Sequence, residues 1–339
     1  MLKQNKRIVA KSLKIKKISN LLIGNASRLL SNMTHKSHIW GYPTAVMIEP
    51  TNVCNLKCPL CPSGNGTLKR AKGFMEFSLF KKVIDEVKEY ATMIILWNQG
   101  EPYLNKDFNK MVKYATDAGL FTLVSTNLNA DMDAEEVVKS GLDSMIVSLD
   151  GSTQETYNQY RVNGNLEKVL SNVEKLVAAK KKLKSNTPII RWQFLVMKHN
   201  EHEIEEIKQK AKELEVDQLS FKTIQIYTKE DIKFLPINPK YRRYNISGED
   251  FEIKFKMENK CRRMWQQPVV NWNGDVAICC FDKDIEFPVG NVKEQSLLSI
   301  WQGKPFQNMR NAVLKNRKAF EICRNCGEGV KLRIEEKNR

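Results

Sequence analysis

Residues 44–61 read TAVMIEPTNVCNLKCPLC, a short apolar strand that runs directly into a loop with three cysteines, Cys54, Cys58 and Cys61. Three thiolates on one short loop can ligate three irons of a [4Fe–4S] cube and leave the fourth iron without a protein ligand. A closed structural zinc site needs four ligands, and no further His or Cys lies close enough in the sequence to supply the fourth. The stretch therefore predicts an iron–sulfur cluster with one open iron.

Around this loop, strand-like and helix-like segments alternate from residue 43 to residue 225. The predicted strands are Thr44–Glu49, Met93–Trp97, Leu120–Ser125, Ser144–Leu149, Ile189–Met197 and Gln218–Ile224. The predicted helices are Phe77–Tyr90, Phe108–Ala118, Ala134–Ser140, Leu166–Leu183 and Glu201–Leu214. Such alternation implies an α/β fold with a parallel sheet and right-handed crossovers. Six units predict a partial (βα)6 barrel, open on one side, with ligand chemistry at the carboxyl ends of its strands.

Polar motifs follow three successive strands of this predicted barrel. They are Gln99-Gly100-Glu101-Pro102, Ser125-Thr126-Asn127 and Ser148-Leu149-Asp150-Gly151. Each motif alone has a structural explanation, since Asp150-Gly151 is a common turn and Glu101 could cap a helix. Their joint position after successive strands predicts one polar pocket at the barrel mouth.

The other five cysteines lie far along the chain and form a second group. Four of them, Cys261, Cys279, Cys323 and Cys326, could hold either a zinc ion or a complete [4Fe–4S] cluster. Their spacing alone does not decide between the two. Cys280 is then surplus, and we expect it to be part of a hairpin around the turn dipeptide Asn273-Gly274.

Composition limits the class of protein. The chain has 339 residues, of which 42% are hydrophobic and 28% charged, and this is typical of a protein with a core rather than a disordered one. No apolar run approaches the roughly 20 residues of a membrane span, and Lys11 interrupts the apolar start that a signal peptide would need. We therefore expect a cytoplasmic protein. In a reducing compartment, eight cysteines in two groups indicate metal ligation rather than disulfides.

The first 48 residues hold nine Lys/Arg and no Asp/Glu, more than half of the net charge of +16. This basic, partly amphipathic arm could contact an anionic membrane surface, nucleic acid or an acidic partner. A solvated helix packed on the barrel edge is the simpler interpretation, and we favour it. Because no aromatic residues alternate with the basic ones, nucleic-acid binding is disfavoured.

The first cysteine loop resembles the defining motif of the radical S-adenosylmethionine (SAM) superfamily. The resemblance implies that Cys54, Cys58 and Cys61 ligate a [4Fe–4S] cluster whose open iron binds the amino and carboxylate groups of SAM. In that family an electron from the reduced cluster splits the sulfonium, and the resulting 5′-deoxyadenosyl radical abstracts a substrate hydrogen. The residue before the third cysteine usually lies near the adenine, and here it is Leu60.

The same resemblance implies roles for the motifs at the strand ends. Gly100 and Glu101 resemble part of the family's Gly-Gly-Glu-Pro motif, so that Glu101 would accept from the methionine amino group. The remaining candidates for the polar groups of SAM are Ser125, Asn127, Ser148 and Asp150, followed by Arg161 and Gln193.

The second cysteine group resembles a SPASM or twitch-type extension of radical enzymes, a small cysteine-rich α+β unit. The resemblance implies that Cys261, Cys279, Cys323 and Cys326 bind one auxiliary [4Fe–4S] cluster. Cys280 is in addition a candidate hydrogen donor to a substrate radical, as an epimerase would require. The chain thus divides into a basic arm (1–42), the barrel (43–225), a charged linker or lid (226–257) and the cysteine-bearing unit (258–339).

These expectations together predict an oxidoreductase that carries out a net oxidation or an epimerisation, with an external electron donor such as flavodoxin or ferredoxin. The 42-residue arm is too short for the leader-binding domain of many peptide-modifying relatives, which favours a small or carbohydrate-like substrate. A maturase of a peptide or protein partner is the first alternative. A non-redox metal-binding scaffold or RNA-binding module is the second.

Overall fold

The computed structural model describes residues 2–328 and 333–334. Its first part alternates strands and helices, in the order α1 (Leu2–Ser12), α2 (Ile15–Thr34), β1 (Ala45–Ile48), α3 (Pro62–Asn65), α4 (Phe77–Val87), β2 (Met93–Ile95), α5 (Phe108–Asp117), β3 (Phe121–Thr126), α6 (Ala134–Lys139), β4 (Ser144–Ser148), α7 (Gln154–Tyr160), α8 (Leu166–Lys182), β5 (Ile189–Val196), α9 (Ile204–Glu213) and β6 (Gln218–Thr223). Its second part contains β7 (Tyr244–Ser247), β8 (Asp250–Ile253), β9 (Val269–Val270), β10 (Val276–Ala277), α10 (Leu297–Gln302), α11 (Lys304–Asn316), α12 (Glu321–Arg324) and β11 (Arg333–Ile334).

The central sheet has nine strands in the order β10-β9-β1-β2-β3-β4-β5-β6-β11. Strands β1 to β6 pair in parallel and in chain order, so their carboxyl ends lie at the same edge. The two ends of the sheet do not pair with each other, and the barrel is therefore open. All six predicted strands and the α/β partial barrel are confirmed, whereas α7 was not predicted.

Helix faces and caps explain why these segments fold as they do. In α4, five apolar residues at helical spacing are all buried against the sheet: Leu79, Phe80, Val83, Ile84 and Val87. Burial of one such side chain contributes about 1.5–3 kcal/mol. Helix α8 begins where the side chain of Asn165 accepts from the backbone N–H of Lys168, and it ends in three lysines that suit the negative end of the helix dipole.

The cysteine-bearing C-terminal region shares the barrel sheet. Strand β9 pairs in parallel with β1 and antiparallel with β10, while β11 pairs antiparallel with β6 at the opposite edge. The turn between β9 and β10 contains Gly274 at a φ of 96°, which confirms the predicted hairpin. Residues 226–257, predicted as a linker or lid, contain the separate two-stranded sheet β7–β8. Residues 329–332 and 335–339 of the predicted last unit lie outside the described residues.

The basic arm packs beneath the barrel, at the amino ends of the strands. Arg7 and Lys11 both pair with the buried carboxylate of Asp143, each at 2.6 Å. Further along, Lys17 donates to the backbone oxygen of Gly119 at 2.9 Å. The arm is thus a pair of helices fixed to the barrel, as expected, although it is fixed through polar side chains. Among the described helices, none combines the length and apolarity that crossing a membrane requires.

Candidate active site

The first cysteine loop follows β1 at the carboxyl edge of the sheet. Cys58 is buried, and Cys54 and Cys61 are half-buried. The backbone N–H of Cys61 donates to the oxygen of Cys58 at 3.2 Å, which folds the loop into a tight turn. Pro62 then starts α3 at a position where its missing N–H is not needed. The three thiols therefore face the same end of the barrel as the polar motifs.

Each thiol of this loop has a polar neighbour from a later segment of the barrel. The amide nitrogen of Asn127 lies 3.8 Å from the sulfur of Cys54, Nη1 of Arg161 lies 3.7 Å from that of Cys58, and the sulfur of Cys61 lies 4.0 Å from Oε1 of Gln99. Burial raises the pKa of the Cys54 thiol to about 12. Ligation would therefore release protons that the apo protein holds.

Glu101 is a fully buried carboxylate with several donors. Oε1 accepts from the hydroxyl of Thr126 at 2.7 Å and from the backbone N–H of Tyr103 at 3.2 Å. Oε2 accepts from the backbone N–H of Asn127 at 2.7 Å. Burial raises the pKa of Glu101 to about 7, against the lowering effect of these hydrogen bonds. A buried carboxylate of this kind suits a cationic ligand such as the SAM ammonium group.

Gly100 brings this carboxylate close to the cysteine loop. Its φ is 75°, and a Cβ placed there would come within 2.6 Å of the backbone oxygen of Thr51. The next residue, Glu101, donates its backbone N–H to the oxygen of Val53 at 2.8 Å. Only glycine allows this conformation and this approach without strain. The loop after β2 is thereby locked against the chain that leads into Cys54.

Asp150 and Arg161 form a buried ion pair beside Cys58. Nε and Nη2 of Arg161 each lie 2.6 Å from Oδ2 of Asp150, and Oδ1 accepts from the backbone N–H of Leu195 at 2.7 Å. Both carboxylate oxygens are thus engaged, so that Asp150 positions Arg161 next to the thiol. A direct contact of either residue with SAM stays a prediction.

The remaining candidates lie on neighbouring strands. The hydroxyls of Ser125 and Ser148 are 3.5 Å apart, and Ser148 is the register partner of Gln193 between β4 and β5. Register partners in a parallel pair project from the same face. The structure therefore places the polar candidates from β3, β4 and β5 on one surface.

The end of β1 is connected to the C-terminal region through Glu49 and Arg70, two residues that the sequence did not single out. Arg70 forms a two-pronged ion pair with the buried carboxylate of Glu49, at 2.9 and 2.8 Å. Its Nε donates to the backbone oxygen of Lys283 at 2.5 Å. The hint in the sequence was Glu49, a carboxylate at the end of an apolar strand. Its partner Arg70, 21 residues later, belongs to no recognisable motif.

The second cysteine group comes together from three separate segments. Cys279 follows β10, Cys323 lies in α12, and Cys326 lies just beyond it. The thiols interact electrostatically, Cys261 with Cys326 and Cys279 with Cys261. Burial is the main cause that raises the pKa of Cys261 to about 12 and that of Cys323 to about 11, and the neighbouring thiol of Cys326 contributes to both shifts.

Two buried arginines flank these thiols with unused donors. Arg317 donates Nη1 to the backbone oxygen of Lys260 at 2.9 Å, while its Nε and Nη2 have no oxygen acceptor and lie beside Cys326. Nε and Nη1 of Arg243 are likewise buried without an acceptor, and its charge also interacts with Cys326. Buried N–H groups of this kind require a hydrogen-bond acceptor. They fit a group whose thiolates and sulfides carry negative charge.

The donor sets of both groups fit iron–sulfur clusters. Cysteine thiolates are the ligands of [4Fe–4S] clusters, and each thiolate binds a different iron. Within residues 2–328 and 333–334, no three His, Cys, Asp or Glu side chains are arranged to hold a single metal ion.

A cavity of about 1080 Å³ lies between the two cysteine groups. Pro59, Leu60 and Pro62 of the first loop line one side. Phe281 and the segment around Cys323 and Cys326, which contributes Arg324, line the other. Residues 251–257 of β8 and its continuation close a third side. Leu60 is the one predicted SAM contact, among the described residues, that lines this cavity.

Cys280 is held away from this cavity. Its sulfur accepts from Nη1 of Arg263 at 2.6 Å, and Arg263 also pairs with Glu328 at 2.9 Å. The thiol packs beside Met47 and Ile95 of β1 and β2 and is not among the residues that line the cavity. A role as hydrogen donor stays a prediction.

Comparisons with known proteins identify two domains. The model described as the radical SAM superfamily matches residues 48–211, and the SPASM model, described as an iron–sulfur cluster-binding domain, matches residues 261–327. The chain is 32% identical over 175 residues to an AdoMet-dependent heme synthase of Methanosarcina barkeri, which covers 51% of this chain and 48% of the relative. It is 27% identical over 201 residues to a PqqA peptide cyclase of Bradyrhizobium diazoefficiens, covering 59% and 51%.

The chain spans about half the length of these curated relatives. Among solved structures, it is similar to Streptococcus suis SuiB bound to the precursor peptide SuiA, with a TM-score of 0.63, 16% identity and coverage of 90% of this chain and 75% of that one. It is also similar to BtrN in complex with AdoMet and 2-DOIA, with a TM-score of 0.54, 18% identity and coverage of 84% and 93%. These likenesses show a shared fold.

Together, the two matching domains and the fold confirm the resemblance drawn from the cysteine motifs. The chain belongs to the radical SAM superfamily, whose members bind SAM and a [4Fe–4S] cluster, and it carries a C-terminal SPASM domain, a type that binds iron–sulfur clusters.

Proposed function

We propose that this enzyme oxidises a substrate held in the cavity between its two cysteine groups. The observation that carries the proposal is the cavity itself, which has residues adjacent to both groups in its walls. SAM with its cluster supplies hydrogen-atom abstraction, and the auxiliary cluster supplies an acceptor for the electron that remains on the substrate. If no new bond forms within the substrate, the substrate loses one hydrogen atom, one electron and one proton overall.

The residue roles follow from the contacts described above. We propose that Cys54, Cys58 and Cys61 ligate the SAM-binding cluster, and that Glu101 holds the ammonium group of SAM. The ligands proposed for the auxiliary cluster are Cys261, Cys279, Cys323 and Cys326. Leu60 supplies an apolar contact at the border between the SAM pocket and the cavity.

We further propose that the substrate is a segment of a peptide or protein rather than a small carbohydrate-like molecule. The cavity, about 1080 Å³ in volume, lies at the upper end of typical small-ligand pockets, about 300–1,000 Å³, and strand β8 lines it through residues 251–253. An extended peptide segment can add to the edge of such a strand by backbone hydrogen bonds. The similarity to a PqqA peptide cyclase supports the same substrate class. We place this activity in the cytoplasm, with flavodoxin or ferredoxin as the electron donor.

Deuterium transfer tests both the activity and the substrate class. The anaerobically reconstituted enzyme is given dithionite, SAM and either a proteolytic digest of uniformly deuterated protein or a pool of deuterated sugars and nucleotide sugars. Deuterium in 5′-deoxyadenosine with the peptide pool alone is the expected result. Transfer from the sugar pool alone would replace the peptide proposal with the small-substrate alternative, and production of no 5′-deoxyadenosine at all would overturn the activity.

A further inference from the structure

Helix α2 of the basic arm is turned with its polar side toward the protein. Its buried residues recur at helical spacing and are Lys17, Asn20, Gly24, Ser27 and Ser31. Asn20 donates to the backbone oxygens of Tyr42 and Tyr90, each at 3.2 Å. Lys17 is equally fixed, through Gly119. A surface helix normally buries its apolar stripe, so the opposite orientation here leaves that stripe uncovered.

The uncovered stripe runs the length of the helix. It consists of Ile15, Ile18, Leu22, Leu29 and Met33, and all five are exposed. Ile15 is 85% exposed, Leu22 68% and Met33 70%. Among the described residues, nine of the fourteen exposed large apolar side chains lie between Val9 and Trp40. A concentration of this kind on one short segment marks an interaction surface.

The charge that the arm itself contributes around the stripe has a single sign. Residues 1–48 contain nine Lys/Arg and no acidic residue, and Lys6, Lys14, Lys16 and Lys36 are exposed. Arg7, Lys11 and Lys17 are by contrast bonded to the barrel. Lys16 lies 3.5 Å from Glu89 at the edge of this face. The face therefore offers apolar side chains bordered by mostly positive charge, and a partner must offer an apolar interior and negative charge together.

We propose that the exposed face of α1 and α2 binds the surface of an anionic lipid bilayer, with α2 lying flat in the interface. A helix of 20 residues is about 30 Å long, and a basic helix with a separate apolar face is the type that inserts at the boundary between headgroups and acyl chains. Anionic lipids supply the matching charge. A second copy of this chain fits less well, because it would bring the exposed lysines of one arm against those of the other.

Such docking fixes the orientation of the enzyme. The arm covers the amino ends of the strands, whereas the cysteine loop and the polar motifs lie at the carboxyl ends. The barrel mouth would therefore face away from the bilayer and stay open to substrate. The proposal does not depend on the proposed function, since it rests on the opposite end of the barrel.

Vesicle sedimentation with the full-length holoenzyme tests the proposal. One set of vesicles is phosphatidylcholine alone, and the other contains about 30% phosphatidylglycerol. We compare the unaltered protein with the triple variant Leu22→Gln/Leu29→Gln/Met33→Gln and with a matched control, Leu183→Gln/Ile237→Gln, which removes two exposed apolar residues elsewhere. Iron content and SAM cleavage, measured in every variant, establish that each is folded.

The expected result is binding to the anionic vesicles that the triple variant weakens about tenfold or more and the control leaves unchanged. Binding to neutral vesicles should also be about tenfold weaker or more. Absence of vesicle binding by the unaltered protein would overturn the proposal. A dimer that the triple variant converts to monomer, without lipid binding, would overturn it in favour of a second copy as the occupant.

Discussion

The two cysteine groups differ in how the chain assembles them. The first places three thiols within eight residues of one loop, directly after a strand. The second collects four thiols from segments that are up to 65 residues apart and come together in the folded C-terminal region. The first group is therefore encoded locally, and the second depends on the completed fold.

The surroundings of the two groups differ as well. Beside the first, the one arginine that contacts a thiol, Arg161, is already paired with Asp150, and the carboxylate of Glu101 lies close by. Beside the second, Arg243 and Arg317 keep buried N–H groups without an acceptor. The first site thus offers a carboxylate to a cationic ligand, whereas the second offers cationic donors to an anionic group.

The largest test of this difference removes one thiol from each group. Cys58→Ala should reduce 5′-deoxyadenosine formation to background, because the cluster that binds SAM then loses a ligand. Cys323→Ala should leave SAM cleavage measurable while substrate oxidation disappears. Each variant should lose about four of the roughly eight irons of the reconstituted protein. Iron counting and quantification of 5′-deoxyadenosine by mass spectrometry provide the measurement.

Cys280→Ala is the matched control, since its sulfur contacts Arg263 outside the cavity. We expect it to keep both its iron content and its SAM cleavage. Loss of iron from this variant would show that Cys280 and not Cys279 is a ligand. Full substrate oxidation by Cys323→Ala would contradict the assignment of an electron acceptor to the second group.

A smaller effect is expected on the affinity of the first site for SAM. Glu101→Gln keeps the shape but removes the charge, and we expect SAM to bind about 10–100-fold more weakly, the range for a lost charge-assisted hydrogen bond. Because the pKa of Glu101 is raised to about 7, the carboxylate is ionised above that pH and protonated below it. SAM affinity should therefore fall about tenfold from about pH 8 to about pH 6.

Calorimetric titration of SAM into the anaerobic protein at several pH values measures this dependence. The Glu101→Gln variant is the control for the unaltered protein, because its SAM affinity should be nearly constant over the same pH range. An equally steep pH dependence in the variant would assign the titration to another group.

These contrasts also explain what the sequence could and could not reveal. The six strands and the loop with Cys54, Cys58 and Cys61 are local patterns, and the structure contains all of these strands. The partners of the thiols are not local, since Arg243 and Arg317 reach Cys326 only through the folded C-terminal region. Nothing in the spacing of either arginine distinguishes it from a surface residue.

The arm shows a different limit. Helical periodicity indicated two opposite faces of α2, but not which face would pack. Lys17 and Asn20 find backbone acceptors at the amino ends of the strands, and these bonds reverse the usual orientation. Which face of α2 packs on the barrel depends on backbone carbonyl groups of other segments. The sequence of the helix alone carries no information about them.

A still smaller difference concerns the glycines beside the two groups. Gly100→Ala would drive a Cβ to 2.6 Å from the backbone oxygen of Thr51, whereas Gly274→Ala would meet the side-chain oxygen of Asn291 at the same distance. A side chain can move and a backbone cannot. We expect Gly100→Ala to lower the free energy of unfolding by about 2–3 kcal/mol and Gly274→Ala by about 1 kcal/mol. Urea unfolding of both apo proteins gives the comparison, and equal losses would contradict it.

The smallest expected effect is on the potential of the second site. Arg317→Gln removes a buried positive charge beside Cys326, so the reduced, more negative form of the auxiliary cluster loses more stabilisation than the oxidised form. Its reduction potential should therefore become more negative, on the order of 50 mV, which corresponds to about 1 kcal/mol for one electron. Arg324→Gln is the matched control, because this arginine lies between two of the cysteines but is exposed and its charge is screened by water. In a redox titration followed by electron paramagnetic resonance, equal shifts in both variants would show that net charge near the cysteines, and not the buried donor, sets the potential.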